Sequence, residues 1–247
     1  MKDCAPIIIF CYRRNIDDLI SSLIKNEESS NSDLFIFSDG FKSENDKKEV
    51  IKLRESLKKI QGFKSVQIFE ASKNKGLANS VIDGISNIIN RFGYAIILED
   101  DLVVSPYFLD FMNRSLRFYN NNKKIWSISG YSPKIPYLKN YEKDVYLSLR
   151  SSSWGWATWL DRWNKVDWSI SDFEVLKKDG NKIQKFELAG NDMFKMLELQ
   201  HLGKIDSWAI RWGYSQFVNS AYSVTPKISM TQNNGFQDNY GTHNSGT

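Results

Sequence analysis

Five short runs rich in β-branched and aromatic residues, PIIIFCY, DLFIFS, SVQIFEA, YAIIL and IWSISGY, alternate with four longer segments of helical apolar spacing: Ile16 to Lys25, Glu44 to Ile60, Gly76 to Phe92 and Ser105 to Tyr119. This alternation constrains the chain more than any other feature. A strand that is followed by a helix before the next strand returns by a crossover, so the strands lie mostly parallel in one sheet with helices on its faces. The expected class is therefore α/β, and the first half reads as a nucleotide-binding layer. At 247 residues with 41% apolar and 14% aromatic content the chain can bury one sizeable core, and a single domain over 1–247 is expected.

The fourth run ends in three consecutive carboxylates, Glu99, Asp100 and Asp101, within YAIILEDDLVVSPYFLDF. Three adjacent anions repel one another, and at the end of a buried strand they also lose hydration, so a compensating positive charge is expected. A divalent cation is the economical choice. Downstream, Ser105 suits an N-cap, Pro106 suits the first helical turn, and Tyr107, Phe108, Phe111, Leu116 and Phe118 have helical spacing. The acids are thus expected on a strand-to-helix connection, where α/β folds collect phosphate-bearing ligands and their metals. The bland alternative is a solvated acidic turn.

Several classes are disfavoured. No Gly-rich loop of the P-loop or GxGxxG kind is present, which argues against P-loop kinases and dehydrogenases. The net charge of +4, from 33 basic and 29 acidic residues spread along the chain, gives no case for nucleic acid and is compatible with loose association with an anionic membrane surface. Cys4 and Cys11 imply neither a disulfide framework nor a zinc site. The apolar run Ala5 to Tyr12 is far short of the roughly 20 residues that span a bilayer, and with no signal-peptide pattern a cytoplasmic chain is expected.

The second half has another character. Ser151 to Trp168 holds five of the eight tryptophans, and Trp208 and Trp212 follow in IDSWAIRWGYSQF. Indoles fill cores, and beside small residues such as Gly155 and Ala157 they also stack on sugar rings. Of the two histidines, His201 is expected on a helix face, while His243 lies in a polar tail that could fold over a bound ligand.

The ordered set APIIIFCYRRN, FIFSDG, NKGLANSVIDGI, ILEDDLVVSPYFLDFMN, SSSWGWATW and DSWAIRW resembles the nucleotide-sugar-dependent GT-A glycosyltransferases. The similarity is to family 2 and N-acetylglucosaminyltransferase I type enzymes and to bacterial transferases of surface polysaccharide (O-antigen, capsule, lipopolysaccharide) synthesis. It covers most of the chain. It implies a GT-A, Rossmann-like sheet in which 1–130 binds the nucleotide sugar and 131–247 the acceptor. By the resemblance, EDD is the variant DxD motif, in which Asp101 holds Mn²⁺ or Mg²⁺ against the donor diphosphate and Asp100 and Glu99 stand near ribose, sugar or metal-bound water. Arg13 then meets base or phosphate, Asp39 the uracil ring, and Asn74 and Lys75 the phosphates at a helix N-terminus. Asp206 matches the catalytic base of an inverting transfer, with Asp161 and Asp192 in reserve. An N-cap of a helix Ser207 to Ser220 is the competing role for Asp206. Here DSW stands where related enzymes have two acids before the tryptophan. Trp154, Trp156 and Trp208 are the expected acceptor-binding indoles.

The implied activity is metal-dependent transfer of a hexosyl or N-acetylhexosaminyl group from a UDP- or dTDP-sugar, UDP favoured, to a glycan or lipid-linked glycan. Two other classes compete with it. A sugar-nucleotide pyrophosphorylase shares the sheet and the metal but has a Gly-rich N-terminal loop, which APIIIFCYRRN lacks. A non-catalytic carbohydrate-binding module explains the tryptophans and leaves the three acids unexplained.

Overall fold

The computed structural model describes residues 4–235, so His243 lies outside the described residues. The elements follow in chain order as β1 (Ile7–Cys11), α1 (Asp17–Ile24), β2 (Asp33–Ser38), α2 (Glu44–Leu57), β3 (Ser65–Glu70), α3 (Leu77–Phe92), β4 (Tyr94–Glu99), β5 (Leu102–Val104), α4 (Phe108–Tyr119) and β6 (Ile125–Ser129). The second half contributes β7 (Val145–Ser148), β8 (Trp156–Trp159), α5 (Leu160–Trp163), α6 (Phe173–Lys177), α7 (Gly180–Glu187), α8 (Met193–His201), α9 (Trp208–Val218), β9 (Tyr222–Pro226) and β10 (Thr231–Asn233).

Eight strands form one sheet in the order β3-β2-β1-β4-β8-β6-β9-β7. β3, β2, β1 and β4 are mutually parallel, β6 and β9 run the same way, and β8 and β7 run against them. The sheet is mostly parallel, as the strand–helix alternation predicts. β4 is buried on both faces from Ala95 to Leu98, the continuous apolar pattern of a central strand covered by helices on both sides.

The period-two alternation of the strands splits the core. Ile7 and Ile9 face a layer built from Leu19, Leu23, Leu53, Leu57, Leu109 and Met112 of α1, α2 and α4. Ile8 and Phe10 face α3, whose Val81, Ile85 and Ile88 share one stripe, and a group of indoles comprising Trp126, Trp156, Trp163, Trp208 and Trp212. α3 comes close to the sheet because residue 84 is glycine: a Cβ there would stand 2.6 Å from Cε1 of Phe10. A third cluster, with Phe173, Phe186, Leu197 and Tyr214, ties α6 through α9 together.

Two local expectations are corrected. The acids do not lead directly into a helix: β5 intervenes, pairs antiparallel with β10, and α4 begins at Phe108. Ser105 still organises the turn, its carbonyl accepting from the Phe108 N–H at 3.1 Å. Asp206 does not cap α9, because Ser207 does so, its hydroxyl accepting from the Ile210 N–H at 3.3 Å.

Candidate active site

Parallel pairing fixes where the loops emerge. Phe10 lies opposite Glu99 and Cys11 opposite Ser38, so the segments after β1, β2 and β4 leave the same edge of the sheet side by side. The Tyr12 N–H donates to Asp100 Oδ2 at 3.2 Å, and Arg14 Nη1 donates to Asp100 Oδ1 at 3.3 Å while lying 3.6 Å from Asp101 Oδ2. A cavity of about 290 Å³ opens there, lined by Phe10, Phe37, Asp39, Asn74, Glu99 and Asp101 among others. A second, of about 600 Å³, reaches Asp100 and Asp101 from the side of α1 and α2.

The carboxylates carry the electrostatic signature of crowding. Burial pushes Glu99 up to about 8, the negative charges of Asp101 and Asp100 add to the rise, and hydrogen bonding from the Trp208 indole opposes it. Asp100 is pushed up to about 6 by burial, against the pull of Arg14 and the Tyr12 N–H and with Asp101 adding to the rise. Arg14 therefore offsets part of the negative charge of Asp100 and Asp101. Asp101 Oδ1 is buried and has no hydrogen-bond partner among the described residues. A buried carboxylate oxygen left in this state fits a hard cation. Among the described residues no three His, Cys, Asp or Glu side chains form a cluster that could hold a metal.

The remaining predicted residues divide into those at the cavity and those turned from it. Asp39 is 8% exposed, and its carboxylate accepts from the backbone N–H groups of Gly40, Lys75 and Gly76 at 2.8, 2.8 and 3.0 Å. It therefore pins the loop after β3 against the end of β2, and Arg54 reinforces the junction by donating to the carbonyls of Asp39 and Ala71. Asn74 lines the cavity, its side-chain amide donating to the Gly40 carbonyl at 2.8 Å. The Lys75 ammonium is instead paired with Asp83 at 2.9 Å on the exposed side of α3. Arg13 lines both cavities while bonded to Asp46 at 2.8 Å, and Tyr12 bonds the same carboxylate at 2.7 Å.

In the second half the three indoles separate. Trp156 and Trp208 are 1% and 3% exposed, stacked on each other at 5.2 Å within the indole core, so neither offers a ring face to a sugar. The expectation fails at these two because large aromatics are as well suited to a core as to stacking. Trp154 is half-buried, meets Tyr131 edge-on at 4.4 Å, and lines a groove of about 1350 Å³ with Pro133, Ile135 and Met230. Asp206, exposed, is held by Arg211 at 2.9 Å and lines neither cavity at the acidic strand end, although Trp208, two residues on, reaches Glu99. Asp161 pairs with Lys123 and Arg162, and Asp192 pairs with Arg150. His201 stacks on Phe173 at 4.1 Å, a packing role.

Sequence reasoning missed Arg14 and Asn233. Arg14 is the second of the two arginines directly after β1, a readable signal. Asn233 donates to Asp101 Oδ2 at 3.0 Å from 132 residues away, a contact without a local trace. Among the described residues no helix is long and apolar enough to cross a membrane.

No family model matches the chain, and no curated protein matches it. Among solved structures it is similar to the mannosyltransferase PcManGT from Pyrobaculum calidifontis in complex with GDP-Man and Mn²⁺, at 9% identity and a TM-score of 0.47, over 89% of this chain and 70% of that one. It is also similar to S. aureus TarS 1–349 in complex with UDP-GlcNAc, at 8% identity and a TM-score of 0.47, over 91% of this chain and 56% of that one.

Proposed function

We propose that this chain is a metal-dependent, inverting glycosyltransferase that moves a hexosyl or N-acetylhexosaminyl group from a UDP- or dTDP-sugar to a glycan or lipid-linked glycan acceptor, in the synthesis of a bacterial surface polysaccharide. The observation that carries the reading is Asp101 Oδ1, a buried carboxylate oxygen without a partner among the described residues, beside two acids whose proton affinity is raised by burial and mutual repulsion. Asp101 would hold Mn²⁺ or Mg²⁺ through that oxygen. A divalent cation bound there would neutralise charge developing on the departing nucleotide diphosphate.

The chain's own residues take the remaining roles. Phe10 and Phe37 line the donor cavity, with Asp39 and Asn74 beside the base and Arg14 next to the acids. The groove beside Trp154 and Tyr131 would receive the acceptor. In the transfer, the acceptor oxygen bonds to the anomeric carbon on the face opposite the diphosphate. The anomeric carbon–oxygen bond breaks, its electron pair leaves with the diphosphate, and the hydroxyl proton passes to Asp206. A positioned carboxylate base contributes about 10²–10⁴-fold. Asp206 takes this role in the proposal by its place ahead of Trp208, whose indole reaches Glu99, and in the structure its carboxylate is held by Arg211 at 2.9 Å.

The test is thermal stabilisation by a panel of nucleoside diphosphates with and without Mn²⁺, on the wild type and on Asp101→Ala, since a ligand bound only by the folded state raises its stability. A metal-dependent rise with UDP or dTDP that vanishes in the variant is expected. No rise with any nucleotide would sink the transferase reading.

A further inference from the structure

The segment that completes the acidic strand end comes from far along the chain. Thr231 to Asn233 pair antiparallel with Leu102 to Val104, so that Asn233 lies opposite Leu102, directly after the acids. Four contacts then converge on Asp101. The Asn234 N–H donates to its carbonyl at 2.8 Å. The Asn233 side-chain amide donates to Oδ2 at 3.0 Å, while the other end of that amide accepts from the Gly235 N–H at 2.7 Å. Arg14 Nη1 stands 3.6 Å from the same Oδ2. Gly235 packs so closely that a Cβ on it would stand 2.7 Å from Oδ2 and 3.1 Å from Asp101 Cβ.

These contacts are one-sided. Both the amide and the guanidinium engage Oδ2, and Oδ1 is left buried without a partner among the described residues. A carboxylate has two chemically equal oxygens, so which one is left for a cation depends on what occupies the other. The Asn233 amide is itself fixed at both ends, by Asp101 and by the Gly235 N–H, so its donor points one way.

We propose that Asn233, seated by Gly235, is a positioning residue that assigns Asp101 Oδ1 to the metal by occupying Oδ2. The inference rests on the donor-site reading above and adds to it a residue outside the acidic stretch. Removing an outer-shell partner of a ligating group costs about 10–100-fold in metal affinity. The chain near 231–235 is then part of the metal site.

The experiment measures the Mn²⁺ concentration at half-effect in the nucleotide-dependent thermal shift of the full chain, at a fixed concentration of whichever of UDP and dTDP stabilises the wild type. Asn233→Ala should raise this midpoint about tenfold, with nucleotide affinity at saturating Mn²⁺ retained. Gly235→Ala tests the same idea by crowding instead of deletion, and should move the midpoint the same way. Unchanged midpoints in both variants overturn the proposal, and so does a general fall in melting temperature with no change in midpoint. If the wild type itself shows no metal dependence, the donor-site reading fails. If the wild type responds to metal and both variants match it, only the role of Asn233 fails.

Discussion

Glu99→Gln offers a test that needs no substrate. In the metal-free protein Glu99 is held protonated up to about pH 8, against an ordinary value of 4.5. Its folded-state affinity for the proton is raised, so the folded chain binds more protons than the unfolded one between these values. Stability from this group is fully present below pH 4.5 and is lost as pH rises to about 8. At about 1.4 kcal/mol per pH unit the loss is bounded at roughly 4–5 kcal/mol. Partial solvent access and the sharing of protons among three neighbouring acids reduce it to about 2 kcal/mol. Glutamine has similar shape and no charge to lose. Urea unfolding in EDTA at intervals from pH 5 to 9 should show wild-type stability falling across the range, and the variant falling less, so that it is the more stable protein at pH 9. Asp100, whose value is raised to about 6, adds a fall of the same sign below neutrality in both proteins. Parallel profiles for the two proteins would refute the reasoning, because they would mean that Glu99 is ionised at no cost in the folded chain.

Asp206→Ala should retain nucleotide and Mn²⁺ binding, with transfer to a glycan acceptor reduced about 10²–10⁴-fold; transfer at the wild-type rate would remove Asp206 from the base role. Arg162→Met should destabilise the fold by about 1–3 kcal/mol in urea unfolding, because Arg162 is 2% exposed and donates to the carbonyls of Tyr119, Asn120, Asn122 and Ile125 while stacking over Trp159. A loss below about 1 kcal/mol would mean that water replaces these bonds.

The parallel half was legible because its signals are local. Each strand is a short β-branched run, each helix has its own apolar stripe, and the expected ends of α1 to α4 fall within three residues of those observed. The acids were legible for the same reason, as adjacent carboxylates at the end of a buried strand. The second half resisted. β8 is WATW, buried throughout and antiparallel to both neighbours, so it shows no polar–apolar alternation to read. The indoles were visible as residues, but whether a ring fills a core or lines a groove depends on what packs against it. Trp154 and Trp156 are two positions apart and have opposite surroundings. Lys75 illustrates a finer limit: its backbone N–H binds Asp39 while its ammonium turns outward to Asp83.

The β5–β10 ribbon also bears on the order in which the molecule assembles. Each strand–helix–strand unit of the first half can form from contiguous chain, whereas the bond between Asn233 and Asp101 closes across 132 residues. Contacts of such separation carry the largest loop-closure entropy and form after local ones. A chain with β1 to β4 in register and β10 not yet paired would present Asp101 without the amide that orients it. Whatever part of the sheet forms from contiguous chain, the carboxylate on which the proposed chemistry depends is oriented only once the distant strand is paired.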